Sequence, residues 1–207
     1  MASPGVALFN VIRRNMSWED YESALSSRSG GLRIFYSNGN LEIMTVSATH
    51  EFWNRTLSKI VETLAEETGK DLAPLGSTTF KREKLQKGFE PDSAFYFEHA
   101  QAFRAKEFVG SAVDPAPELI IEVDITSQSI DRFPIYAAFG VKEIWRYDGR
   151  LRFYRLVAGS YEEIDSSDVF PVTTAQAVQG QLQASQSAAF GDWMRDLRKW
   201  ARGQRPS

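Results

Sequence analysis

The chain has 207 residues, 43% of them hydrophobic and 25% charged, which suits one well-buried soluble domain. A net charge of -3 and a pI near 5.5 do not mark a general nucleic-acid binder, although a local basic face is compatible with them. The absence of cysteine excludes disulfides and thiolate metal sites and fits a reducing cytoplasm, the expected location. No apolar run approaches a membrane span, and the first residues lack a charged-then-apolar export pattern, so no membrane association is expected.

Taken in order, Ser17-Trp18-Glu19-Asp20 reads as a capped helix start, with a short helix running to about Leu25. Two alternating runs, 32–36 and 40–44, flank Asn38-Gly39, the dipeptide that most strongly marks a tight hairpin. Ser47 then caps a helix over 48–68, and Gly69 stops it. Trp53, Leu57, Ile60, Val61 and Leu64 give that helix one apolar face. His50 lies in line with them, as a core histidine or as a functional one. Glu42 in the hairpin reads as a surface strand residue and Glu51 as solvated.

Strands are expected over 71–75 and 78–82, followed by a mostly basic loop of Lys81, Arg82, Lys84 and Lys87. Such a loop either contacts phosphates or is simply solvated. Glu90-Pro91-Asp92 opens a strand over 93–97, and 98–116 reads as a polar loop with a helical turn. The run 117–125 is β-branched and apolar, yet it contains Glu122 and Asp124. Bare anions in a buried strand cost several kcal/mol or more, so a partner, a proton or a metal ion must neutralise them.

A turn over 126–129 leads to a helix over 130–139, tolerable only with Pro134 in its first turn. Strands follow at 143–147, 151–156 and 161–164. The tail, 187–202, is a basic amphipathic helix, expected to pack on the domain through Phe190, Trp193, Met194 and Leu197. The element order predicts α/β architecture: a single domain over 1–207, with a mixed central sheet flanked by helices.

Strand side chains alternate, so Glu122 and Asp124 share a face. If the strand after Asp92 is a neighbour, two or three carboxylates converge at one sheet end. Hard divalent cations such as Mg²⁺ are bound by oxygen clusters of this kind, and the Val123 carbonyl could add a ligand. The plain alternatives are that Asp92 is a turn acid, that Glu122 pairs with Arg132 or Lys81, and that Asp124 pairs with Arg132.

Several ordered stretches carry a resemblance. Gly88-Phe89-Glu90-Pro91-Asp92, Pro117-Glu118-Leu119-Ile120-Ile121-Glu122-Val123, Tyr136, and Gly140 through Asp148 with Trp145 and Tyr147 are similar to the Uma-type (Uma-two) bacterial family of the PD-(D/E)xK restriction-endonuclease-like superfamily. The junction from Met44 to His50 fits as well, and the likeness spans roughly 16–170. It implies a restriction-endonuclease-like fold and a divalent-metal-dependent endonuclease acting on DNA with Mg²⁺ or Mn²⁺. By that resemblance Asp92 and Glu122 are the metal-binding acids, with the Val123 carbonyl beside them. The third motif position, lysine in the superfamily, is here Asp124. Family members often supply the lysine from the next helix, four residues ahead of the tyrosine, and that position is Arg132. Arginine keeps its proton, so it can orient water or stabilise charge but not act as a base. His50 and Lys81 are accessory candidates. Exposed strands and many aromatics make a homodimer plausible. The alternative function is a catalytically inactive module of the same fold that binds nucleic acid or protein.

Overall fold

The computed structural model describes residues 10–28, 31–104, 106, 114–125 and 130–205. It opens with strand β1 (Asn10–Arg13) and helix α1 (Trp18–Ser27). At the start of α1 the Ser17 hydroxyl accepts from the Asp20 amide, and the Asp20 carboxylate accepts from the Ser17 amide. This reciprocal cap satisfies two amides that a helix start leaves unpaired. Strands β2 (Leu32–Ser37) and β3 (Asn40–Thr45) form the expected hairpin. Asn38 and Gly39 both have positive φ, 46° and 82°, the backbone that matches the twist of a tight hairpin. Helix α2 (Ala48–Thr68) has the expected bounds, with the Ser47 hydroxyl accepting from the His50 amide and Gly69 closing it in the left-handed region.

Four short strands follow: β4 (Ala73–Gly76), β5 (Phe80–Arg82), β6 (Lys87–Phe89) and β7 (Ser93–Tyr96). The stretch expected to be a basic loop instead folds as a second tight hairpin, because one 3-10 turn over Glu83–Leu85 reverses the chain between β5 and β6. After α3 (Ala100–Arg104) comes the central strand β8 (Leu119–Val123), shorter than expected. The polar turn over 126–129 lies outside the described residues. Helix α4 (Phe133–Phe139) carries Pro134 in its first turn, where its missing amide costs nothing. Strands β9 (Glu143–Tyr147), β10 (Leu151–Val157) and β11 (Ser160–Ile164) form the meander. Helices α5 (Ala175–Ser187) and α6 (Phe190–Arg202) end the chain, α5 having no counterpart in the sequence reading.

Among the described residues the strands make two sheets, of which the larger is the expected mixed sheet and the smaller an addition to it. The larger is ordered β11-β10-β9-β8-β7-β4, and the smaller β1-β3-β2-β6-β5. Among the described residues only the β8–β9 pair is parallel, joined by the crossover through α4. Leu119, Ile121 and Val123 of β8 face one core, shared with Trp53, Leu57 and Ile60 of α2 and with Trp193 and Leu197 of α6. Ile120 faces the other core, shared with α4 and with Phe35 and Met44 of the smaller sheet. Helix α1 covers the outer side of the smaller sheet through Trp18 and Tyr21. Alternation along β8 therefore points Glu122, like Ile120, into the space between the two sheets.

In α6, Trp193, Leu197 and Ala201 are buried and Arg202 pairs with Glu67 of α2 at 2.8 Å. Phe190, expected in its apolar stripe, is instead 70% exposed. Among the described residues, no helix is long and apolar enough to cross a membrane.

Candidate functional site

Strands β7 and β8 are antiparallel, with Ser93 opposite Ile121. One further step of that register sets Asp92 opposite Glu122. The connection before Asp92 is tied down by Glu90, a buried acid that accepts from the Ile34 amide and is bonded by Arg28 and Thr79. From α2, the Asn54 amide donates to the Asp92 carbonyl at 3.2 Å and accepts from the Ser93 hydroxyl at 2.8 Å. The backbone of Asp92 is therefore held from both sides.

The Asp92 carboxylate is 5% exposed. Its Oδ2 accepts from the Val123 amide at 2.7 Å and lies 3.0 Å from His50 Nε2. Among the described residues its Oδ1 has only Arg33 Nε, at 3.7 Å. The Glu122 Oε2 lies 3.3 Å from an Arg132 nitrogen. The same guanidinium lies 3.4 Å from Glu42 Oε2, 2.9 Å from the Met44 sulfur and 3.7 Å above the Phe35 ring. Asn10 holds the other oxygen of Glu42 at 2.8 Å.

Burial, and then the charge of Asp92, push the Glu122 carboxyl up to about 8 against the pull of Arg132. Burial disfavours the Arg132 charge, but Tyr136, Glu122, Glu42 and Asp92 together hold the group above its ordinary value, so it stays a cation. Burial, and then Glu122, raise the Tyr136 hydroxyl well above its usual range. That hydroxyl faces Glu122 without reaching good hydrogen-bond geometry.

Seven buried side-chain polar atoms among the described residues make no hydrogen bond, and five of them surround this point: Arg33 Nε, His50 Nδ1, Glu122 Oε1, Arg132 Nε and Tyr136 Oη. Interiors rarely leave such groups unpaired, so their concentration here singles this point out as the candidate site.

Residues 18–198 match the Uma2 family, described as "Putative restriction endonuclease". The chain belongs to the Uma2 family. A crystal structure of "a putative nuclease belonging to DUF820" from Anabaena variabilis ATCC 29413 superposes on it with a TM-score of 0.52. That likeness covers 87% of this chain and 98% of the other at 14% identity, which speaks for the restriction-endonuclease-like fold alone. No curated protein matches.

On this Uma2 framework the structure brings together Asp92, Glu122, Val123, His50 and Arg132. Val123 meets Asp92 through its amide. Asp124 is not part of the cluster. It lies just past the end of β8, and its carboxylate is bonded by Arg146 at 2.6 and 3.2 Å rather than by Arg132. Lys81 is also elsewhere, half-exposed and paired with Glu22 of α1 at 2.6 Å.

Two residues enter that the sequence does not place here: Glu42, expected on the surface, is fully buried, and Arg33 lies beside Asp92. Glu42 shares its strand face with Met44, an apolar neighbour that was the available signal for burial. At the opposite end of β8 sits a separate group, Glu98, His99 and Glu118, whose ligand atoms lie within 4.8 Å of one another. It is internally paired: Glu118 takes the Phe97 amide at 2.9 Å and His99 at 2.6 Å, and Glu98 takes Lys142 at 2.8 Å.

Proposed function

We propose that this Uma2 protein is a divalent-metal-dependent endonuclease hydrolysing DNA phosphodiester bonds, with Mg²⁺ or Mn²⁺ held by Asp92, Glu122 and the Val123 carbonyl. The observation that carries the reading is the register step that sets Asp92 opposite Glu122, with Glu122 Oε1 buried and unpaired and Asp92 Oδ1 met, among the described residues, by Arg33 at 3.7 Å. Two hard carboxylate oxygens completed by water and substrate suit such ions. The bound ion supplies polarisation of the phosphate and a more acidic water.

The chain's own residues do the rest. His50 and the Val123 amide fix Oδ2 of Asp92, which turns Oδ1 toward the site. Arg132 holds a permanent positive charge beside Glu122, where it orients and stabilises but does not accept a proton. Without the ion, burial and the charge of Asp92 favour the protonated form of Glu122, so holding the ion would release that proton. The same proposal includes a cytoplasmic homodimer, with one site for each strand of a duplex. The outer strand β11 pairs among the described residues with β10 alone, which leaves a sheet edge available. A monomer mass by light scattering at high concentration would remove the dimer.

A second reading is a non-catalytic module of the same fold. It is favoured by Arg132, which already neutralises Glu42 and Glu122 from within the chain. Plasmid nicking separates the two. Mn²⁺-dependent nicking that is lost in Asp92→Asn, together with Mn²⁺ binding by calorimetry, supports the nuclease. No heat of Mn²⁺ binding and no rise in Tm on adding Mn²⁺ would sink it.

A further inference from the structure

Arg33 stands out from the other arginines that reach toward the interior. Its side chain is 13% exposed, yet its guanidinium makes no hydrogen bond to any described residue, and Nε is completely buried. Arg28 is bonded to Glu90. Arg82 donates to the Asp114 and Phe139 carbonyls and lies over the Phe139 ring. Arg132 is paired with two acids and stacked on Phe35. Arg33 has one long ion pair, 3.7 Å to Asp92 Oδ1.

A guanidinium carries five donors in a rigid fork that matches the oxygens of a phosphate. Taking such a charge mostly out of water with no hydrogen bond is costly, and a single contact at 3.7 Å offsets only part of that cost. What holds Arg33 in place is its strand. It sits in β2 opposite Met44 of β3, between two paired neighbours, so its position is set by the backbone and not by an acid. The other cations of the site already have partners: Arg132 is with Glu42 and Glu122, and His50 is with Oδ2 of Asp92. Arg33 therefore presents unused donors on the Oδ1 side of Asp92, the side that faces a substrate in the nuclease reading.

We propose that Arg33 is a substrate-binding residue that grips the non-bridging oxygens of the DNA phosphodiester beside Asp92. The inference rests on the nuclease reading, but it is tested by binding rather than by turnover. The simpler role, in which Arg33 only neutralises Asp92, predicts a different result.

The experiment uses the full chain, a fluorescent duplex oligonucleotide and no divalent ion, with anisotropy read over a series of salt concentrations. Arg33→Met is expected to weaken binding about tenfold and to lower the salt slope by about one. Arg33→Lys keeps the charge and should retain the slope with intermediate affinity, because the fork is lost. Tm and Mn²⁺ calorimetry on the same proteins report fold and metal binding. If Arg33→Met matches wild type in affinity and slope while its Tm or Mn²⁺ affinity changes, Arg33 is a neutraliser and the inference is overturned. Wild-type protein with no affinity for the duplex overturns it equally. Should Arg33→Met not fold, Arg33→Lys decides, and wild-type affinity there counts against the inference. The nuclease reading fails separately, by an absence of Mn²⁺-dependent nicking in wild-type protein.

Discussion

Arg132 and Glu42, ninety residues apart in the chain, meet at 3.4 Å in the interior between the two sheets. The same guanidinium lies 3.3 Å from Glu122, so one buried cation serves two buried acids contributed by different sheets. Removing one partner from such a group leaves uncompensated charge, which typically costs about 3–5 kcal/mol. Arg132→Ala should therefore lower stability by about that much in urea unfolding. Adding Glu42→Gln and Glu122→Gln to the same chain should recover a good part of the loss. A triple variant no more stable than Arg132→Ala would show that packing over Phe35, and not charge, is what Arg132 contributes.

Glu122 predicts a pH dependence of defined sign. Its ordinary value is 4.5, and burial followed by Asp92 raises it to about 8 in the folded protein. Between those values the folded chain holds a proton that the unfolded chain has lost. Stability from this group therefore falls as pH rises from about 4.5 to about 8. Glu122→Gln should flatten that part of the Tm-against-pH profile. A profile as steep as the wild type's would mean that Glu122 does not carry the proton.

Asn54 ties α2 to the strand entry at Asp92. Asn54→Ala leaves the Asp92 carbonyl and the Ser93 hydroxyl without this partner, at about 1–3 kcal/mol. If the site works as proposed, Mn²⁺ affinity should fall along with stability, because the Asp92 backbone is released. Calorimetry showing unchanged Mn²⁺ affinity in a destabilised Asn54→Ala would confine Asn54 to a packing role.

Asp124 gives the contrasting case. Its carboxylate is nearly buried and bonded twice by the part-exposed Arg146, so Asp124→Asn, which keeps the shape but loses the charge, should cost about 1–3 kcal/mol. Mn²⁺ affinity should stay at the wild-type value. A loss of metal binding comparable to that of Asp92→Asn would return Asp124 to the site.

Gly88 and Tyr21 test how α1 is seated on the smaller sheet. A Cβ at Gly88 would run into the Tyr21 hydroxyl and ring edge. Gly88→Ala should cost about 1–3 kcal/mol through overpacking. Tyr21→Phe in that background should relieve part of it, since the Tyr21 hydroxyl is buried and makes no hydrogen bond. Denaturation curves in which Gly88→Ala matches wild type would show that the helix shifts freely.

The sequence by itself determined the elements whose signals are local. The Ser17–Asp20 cap, the Asn38-Gly39 hairpin, the Ser47-to-Gly69 helix and the placement of Pro134 depend on residues within a turn or two of one another. The sequence also showed that Glu122 needed a partner, because an acid in an apolar strand is a conflict visible without coordinates. It did not reveal β6, whose three residues pair only once the chain has reversed, or α5, whose apolar stripe is weak. Nor could it say which acid goes with which base. Glu122 and Asp124 look alike along the strand, yet one meets Arg132 and the other Arg146. That choice, the burial of Glu42 and the position of Arg33 beside Asp92 were decided by the packing of the smaller sheet against the larger. Ion pairs between residues so far apart in the chain leave no periodicity or spacing to read, so only the tertiary fold determines them.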